Sequence, residues 1–385
     1  MSHLPIYLDS QASTPVDPRV LERMLPYFTE QCGNPSTAEH QHGEGARMAV
    51  EQARQTIATA LGCRSEKEII FTSGATEANN LSLLGASAQR PVSERHFITS
   101  AIEHSSVLEP LAHLENCGAQ VSRLAVNGGG RINPEELQAA LRPETTLVSV
   151  MFANNEIGTL QPIAEIGRIC RAASILFHCD AAQAVGHEII NVEELNIDLM
   201  SFSAHKFYGP KGIGGLYIRE GIADTCLQPT QFGGGQEQGL RPGTLNVPAI
   251  VGMASALQLS MEEAEKTNQL LRQTAEELFH PLQQAFPRLR LNGDPEHKLA
   301  RNLSITIPGV EASALMMLLK DELSFSAGSA CSSVEHQPSH VLKAIGLSDE
   351  ECFQTIRLGL SPGLEAGKIA RLLQRGIAAA PTFID

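Results

Sequence analysis

No stretch of this sequence reaches eighteen uninterrupted apolar residues, so none reads as a membrane-spanning helix. The amino terminus, Met1-Ser-His-Leu-Pro-Ile-Tyr-Leu-Asp9, has no basic region followed by a long apolar run, so it does not read as a leader and the expected location is cytoplasmic. Positive charge is scarce. Against 29 lysines and arginines stand 43 aspartates and glutamates, a net charge of −14, which speaks against a broad or stable nucleic-acid-binding face. There are eight cysteines but no C-x-x-C pair, which argues against a zinc ribbon or a dense disulfide framework, and no ligand spacing supports a metal. A Walker loop, an internal repeat and a low-complexity tract are also absent. What remains, 385 residues with 42% apolar and 19% charged, is the profile of a soluble, enzyme-sized globular protein with one large domain and a smaller one.

Strand and helix patterns alternate through the first two thirds of the chain, which predicts βαβ units and a mostly parallel sheet. Helices are expected over 18–28 and 44–62, and strands over 68–72, 96–100, 147–152, 175–180 and 197–202. Around residue 255 the composition changes. A long helix over 261–286 reads as a bridge into the smaller domain, with strands at 288–292 and 302–307, a helix at 312–320 and a strand at 355–359. The division this gives is 16–255 for the large domain, and 1–15 with 256–385 for the small one.

Each predicted strand of the large domain runs out into polar residues. In an open α/β sheet ligands bind beyond the carboxyl ends of the strands, so Thr76, His104, Asn155, Asp180, Gln183 and Lys206 can all line one crevice. In Ser73-Gly-Ala-Thr-Glu77, Gly74 lets the backbone approach a ligand, and a helix opening at Ala75 and Thr76 aims free N–H groups at an anion; plain helix capping explains the same residues as well. Ser203, His205 and Lys206 set a hydroxyl, an imidazole and an amine at a strand exit. They can hold a phosphate and form a Schiff base beside it, as pyridoxal phosphate requires. Asp180 can keep a pyridine nitrogen protonated, His104 can stack on the ring and carry protons, and Asn155 and Gln183 can bond its phenolic oxygen. Asn34, in Cys32-Gly-Asn-Pro-Ser-Thr37, either meets a ligand or only makes the turn. Arg241 and Thr244, in a glycine-rich loop, can reach a phosphate. Arg357, among apolar neighbours, needs a substrate carboxylate or an internal ion-pair partner. Cys331 sits in Gly328-Ser-Ala-Cys-Ser-Ser333, a loop of the kind that presents a reactive thiol.

Tyr7-Leu-Asp9, Ser73-Gly-Ala-Thr-Glu77, Glu103-His104, Ala153-Asn-Asn-Glu156, Asp180-Ala-Ala-Gln183, Ser203-Ala-His-Lys206, Arg241-x-Gly-Thr244 and Gly328-Ser-Ala-Cys331 together span nearly the whole chain. The sequence resembles the cysteine desulfurases of the NifS and IscS kind, fold-type I pyridoxal phosphate enzymes of the class V aminotransferase family. The resemblance implies a seven-stranded, mostly parallel sheet in the large domain and a smaller α+β carboxy-terminal domain. It implies Lys206 as the Schiff-base lysine, Gly74, Ala75, Thr76, Ser203 and His205 around the phosphate, and Thr244 reaching the phosphate of the other subunit of a homodimer. Asn34, Asn155 and Arg357 would surround the substrate carboxylate. L-cysteine would be the substrate, with Lys206 and His104 moving protons and Cys331 taking the sulfur as a persulfide for an acceptor protein whose identity the sequence does not give. The stretch from Cys331 to Pro338-Ser-His-Val-Leu342 resembles the long mobile loop of the IscS-like group.

The sequence departs from the family's pattern in places. Asp9-Ser-Gln-Ala-Ser-Thr14 stands where the family usually has Asp-x-Ala-Ala-Thr-Thr, which alters packing near the site. Gln238 replaces an arginine, the second arginine after Arg357 is missing, and no long tail follows the last helix. Selenocysteine or cystine lyase activity is the near alternative, and a cofactor-bearing scaffold without turnover the alternative from another class.

Overall fold

The computed structural model describes residues 4–37, 39–86, 91–222, 226–328 and 337–380. After a short β1 (Ile6–Tyr7) come β2 (Ile69–Thr72), β3 (His96–Ser100), β4 (Gln120–Leu124), β5 (Thr145–Ser149), β6 (Leu176–Asp180), β7 (Leu199–Ser203) and β8 (Gly214–Ile218). Strands β2 to β8 form one seven-stranded sheet in the order β2-β8-β7-β6-β5-β3-β4, parallel except that β8 runs against both of its neighbours. The sheet is buried on both faces, and the sequence says why. Phe97, Leu147 and Leu199 enter one apolar cluster while their neighbours Ile98, Val148 and Met200 enter another, because successive side chains of a strand point to opposite faces.

The second half adds β9 (Arg290–Leu291), β10 (Asn302–Thr306), β11 (Leu323–Ser324), β12 (Ser326–Ala327) and β13 (Thr355–Gly359). An antiparallel sheet β12-β13-β10-β9 packs its own core of Leu303, Ile305, Ile356 and Leu358 with the helix Ala366–Ala379. The amino-terminal strand β1 pairs in parallel with β11, so Leu8 belongs to this second core although the chain then crosses to the first.

Two elements differ from the sequence reading. The helix expected over 18–28 is two, Pro18–Met24 and Pro26–Thr29, because Pro26 has no N–H to continue the ladder and its ring restricts Leu25. The bridging helix starts well before 261: it runs over Val247–Ala285 from an Asn246 cap whose side chain accepts from the Ala249 N–H. Its Val247–Leu257 stretch is apolar and packs in the first core, whereas Leu271, Leu278 and Leu282 pack in the second. We propose to keep the domain division at 255/256, which falls inside this continuous helix.

Residues 9–14 form a strap from the second core to the first. Gly359 donates its N–H to the Leu8 carbonyl, and Thr14 bonds the His205 carbonyl through both its N–H and its Oγ1. The strap lies so close to β13 that a Cβ at Gly359 would stand 2.1 Å from Gln11 Oε1 and 2.4 Å from the Ser10 nitrogen. Gly359→Ala therefore has to push the strap out, and overpacking of this kind costs about 1–3 kcal/mol. Urea unfolding checks this, and a variant as stable as the parent would mean that the strap yields freely.

Candidate active site

A cleft of about 640 Å³ opens where β2, β3, β5, β6 and β7 end. Lys206 lies at its floor, the last residue of the short turn Ala204–Lys206 that follows β7. Its Nζ donates to the carbonyls of Gln11, at 2.6 Å, and Ala12, at 3.0 Å, on the strap. Burial pushes the amine down to about 8, and the positive charges of Arg357 and Arg301 add to the shift against the pull of Asp180 and Asp9. A lysine in this state can lose its proton near neutral pH.

On one side of the amine stands the start of the helix Ala75–Gly85. Gly74 precedes it at φ 155° and ψ 177°, a conformation open essentially to glycine alone, and no side chain caps the helix. The space a Cβ would take at Gly74 ends 3.5 Å from Ser203 Oγ, so the main chain, Thr76 and that hydroxyl bound a small concavity fit for an anion. His205 borders it as a neutral imidazole, held down to about 4 by burial and by Lys206 and Lys211. Arg241 does not reach into this concavity. It pairs with Glu77 at 2.8 Å, and Glu77 in turn accepts from the Ser73 N–H.

On the other side lies Asp180, 5% exposed, its two oxygens accepting from Asn79 Nδ2 at 2.8 Å and the Ala182 N–H at 3.0 Å. Asn79 also donates to Ser106 Oγ, which contacts His104 Nδ1 at 2.8 Å. Because the Ser106 N–H donates to Nδ1 as well, the neutral ring carries its proton on Nε2. Burial lowers the His104 pKa, so that neutral form prevails. Asn79 and Ser106 were not singled out from the sequence. Asn79 lies within the Ser73–Asn80 motif, one helical turn beyond Thr76, and that spacing is the signal that identifies it.

Gln183 is buried and lines the cleft; its Nε2 donates to the Gln11 carbonyl, while its Oε1 has no partner among the described residues. Of the two readings the sequence left open, Arg357 shows the internal ion pair. It pairs with Asp9 at 2.9 Å and donates to Ser326 Oγ and the Asn155 carbonyl, yet its buried Nε has no partner among the described residues, and both Arg357 and Asn155 line the cleft. Two expected residues are not brought in. Asn34 is exposed and accepts from the Ser36 N–H, making its turn, and Thr244 is exposed and lines no part of this chain's own cleft.

Cys331 lies outside the described residues. On either side of it, the Gly328 N–H donates to the Thr355 carbonyl, Ser339 Oγ to Glu156 Oε2, and His340 Nε2 contacts the Glu103 carbonyl. These anchors meet the loops that carry Asn155 and His104. Among the described residues no cluster of side chains suits a metal ion, and no helix is long and apolar enough to cross a membrane.

The cleft fits pyridoxal phosphate on its own geometry. The glycine-made concavity takes a phosphate, the unpartnered Gln183 Oε1 takes a phenolic O–H, Asp180 takes a protonated ring nitrogen, and the Lys206 amine takes an aldehyde.

Comparison with known proteins agrees. The model of the family described as aminotransferase class-V matches residues 6–372. The chain is 48% identical to the cysteine desulfurase IscS of Anaeromyxobacter dehalogenans, over 93% of this chain and 88% of that protein. A solved NifS-like protein superposes with a TM-score of 0.89 at 36% identity, covering 97% of this chain and 99% of the other. SspA in complex with cysteine gives 0.82 at 39% identity over 93% and 99%. By its family match, its relatives and its fold, the chain belongs to the class-V aminotransferase family, in the group of the cysteine desulfurases.

Proposed function

We propose that this chain converts L-cysteine to L-alanine, with pyridoxal phosphate bound through Lys206, and carries the sulfur away as a persulfide on Cys331. The observation that carries the reading is a lysine amine with its pKa pushed down to about 8, at the floor of a cleft with an anion cradle on one side and a held carboxylate on the other. When bound, pyridoxal phosphate supplies an electron sink for negative charge that develops on the substrate carbons.

The rest is work for the chain's own side chains. Gly74, Ala75, Thr76, Ser203 and His205 hold the phosphate, and Gln183 and Asn155 orient the ring. Asp180, fixed by Asn79, keeps a proton on the ring nitrogen. Arg357 Nε and Asn155 hold the substrate carboxylate. His104, with a proton on Nε2, and the Lys206 amine move protons at the substrate carbons. The Cys331 thiolate takes the substrate sulfur: an S–S bond forms, the C–S bond breaks, and its electron pair stays with carbon, which gains a proton and becomes the methyl group of alanine.

The anchors on both sides of Cys331 support bringing that thiol to the cleft, since Gly328 bonds β13, which carries Arg357, and Ser339 and His340 bond the loops of Asn155 and His104. We assign Thr244 to the phosphate of a second copy in a homodimer, in keeping with its exposure outside its own cleft; Asn34 is given no role in its own cleft. The sulfur then passes to an acceptor protein, for iron–sulfur cluster assembly or for thiolation of tRNA or DNA, in the cytoplasm.

Purified protein given L-cysteine and dithiothreitol should release alanine and sulfide together. Lys206→Ala should lose both products and the visible absorbance of the bound cofactor. Cys331→Ala should keep the absorbance and lose both products, and a Cys331→Ala protein that still makes alanine and sulfide would overturn the assignment. The pH response gives a separate check. Below about 8 the fraction of unprotonated Lys206 amine rises roughly tenfold per pH unit, and above it levels off. Covalent capture of added pyridoxal phosphate by the stripped protein, followed by absorbance, should rise and level accordingly; a rate still climbing through pH 10 would show an unshifted lysine.

A further inference from the structure

Arg301 is 2% exposed and is the first of the large, fully buried side chains, yet among the described residues no carboxylate pairs with it. A buried charge without a counter-ion is costly, and a guanidinium cannot escape the cost by losing its proton. Nothing local marks this residue, which precedes β10 in Leu299-Ala-Arg-Asn-Leu303 as any exposed arginine would. Its bonds show where its charge is directed. Nη2 donates to the Ser10 carbonyl at 2.6 Å, and Nη1 donates to the Lys206 carbonyl at 2.7 Å and meets His187 Nε2. Burial and Arg301 push the His187 pKa far down, so that imidazole is neutral, and its Nε2 also meets the Lys206 carbonyl at 2.8 Å. The Arg301 carbonyl in turn accepts from Gln11 Nε2 at 2.8 Å.

Every one of these contacts borders the reactive amine. Ser10 begins the strap whose next two carbonyls, those of Gln11 and Ala12, hold Lys206 Nζ, and the Lys206 carbonyl is that lysine's own main chain. Gln11 is also where the amino-terminal motif departs from the family's pattern, and its long amide fills the gap between the strap and Arg301. One side chain thus fastens the strap, the lysine and the start of β10 together.

We propose that Arg301, with Gln11 as its tie to the strap, is a positioning residue for Lys206: it fixes the main chain on both sides of the amine and sets a permanent positive charge beside it. The proposal rests on Lys206 being the cofactor lysine. Other charges facing Lys206 are Asp9 on the strap, His104 at a helix start, Asp180 at the end of β6, the adjacent His205 and Arg357 on β13. Asp9 and Asp180 favour the ammonium, and Arg357 and Arg301 oppose it. Loss of Arg301 therefore tips the balance toward the ammonium.

The test is competitive labelling of the full-length, cofactor-stripped protein with acetic anhydride across a pH series, read at the Lys206 peptide by mass spectrometry. The parent should show a midpoint near 8. Arg301→Met and Arg301→Gln, both neutral, should raise it by roughly one unit, a smaller share of the lowering than burial supplies. If Arg301→Met fails to fold, Arg301→Gln carries the same comparison. Neutral variants that melt at a lower temperature with the midpoint unmoved would reduce Arg301 to a structural residue and overturn the proposal. Borohydride reduction of the holoenzyme separates the two readings: cofactor found on a residue other than Lys206 would sink the Lys206 assignment itself, whatever Arg301 does.

Discussion

The arrangement turns on one lysine amine that must be buried without being neutralised by a partner carboxylate. Lys206 meets two main-chain carbonyls and no acid within bonding distance, while two arginines lie near enough to push its proton off. Lowering its pKa from 10.5 to about 8 corresponds to about 3 kcal/mol. The sign follows from proton counting. Between the two values the unfolded chain holds the proton and the folded chain does not, so stability rises with pH across that window, and the penalty is fully present below about 8. At neutral pH the fold accepts a standing cost at this position. Strain or unfavourable burial kept at a site in this way has to be supported by the structure around it.

That support comes from both cores at once. The first core, around the parallel sheet, supplies the lysine, Asp180, His104 and the uncapped helix start after Gly74, all at carboxyl ends of strands. The second supplies the charges that oppose the ammonium, with Arg301 beside β10 and Arg357 on β13. The strap from Leu8 to Thr14 stitches the two, bonding β13 at one end and the His205 carbonyl at the other. A small displacement between the cores would therefore alter the amine before it disturbed either hydrophobic interior.

Much of this was legible in the sequence, for a physical reason. Polar residues that end buried strands have few places to go in an open α/β sheet, so Thr76, His104, Asn155, Asp180, Gln183 and Lys206 could be assigned to one crevice, and all six line it. The bridging helix was legible only from 261, because the Val247–Leu257 stretch is apolar and small and has neither the charge pattern nor the amphipathic contrast of the later turns. Asn34, open between a ligand contact and a turn, makes its turn, and Thr244, expected at the phosphate of a second copy, is exposed outside its own cleft. Arg301 was invisible for a different reason, and Gln11 showed only as a departure from the family's pattern: their roles come from contacts across about 290 residues, and no local spacing encodes a contact of that range.

The same reasoning bears on why the opposing charges are arginines and why they come from the second core. A lysine in their place would be free to lose its own proton when buried, and the pressure on Lys206 would vanish with it, whereas a guanidinium stays charged at any pH the fold survives. Arg357 also keeps an Nε with no partner among the described residues, and a substrate carboxylate bound there, as the proposed function has it, would neutralise part of its field at Lys206. Arg301 has no such exposure to substrate and its charge is constant. Under the proposed function one arginine would couple the amine to the arrival of substrate while the other sets the level from which that coupling acts; Arg357 is held on β13, and Arg301 in the turn that leads into β10.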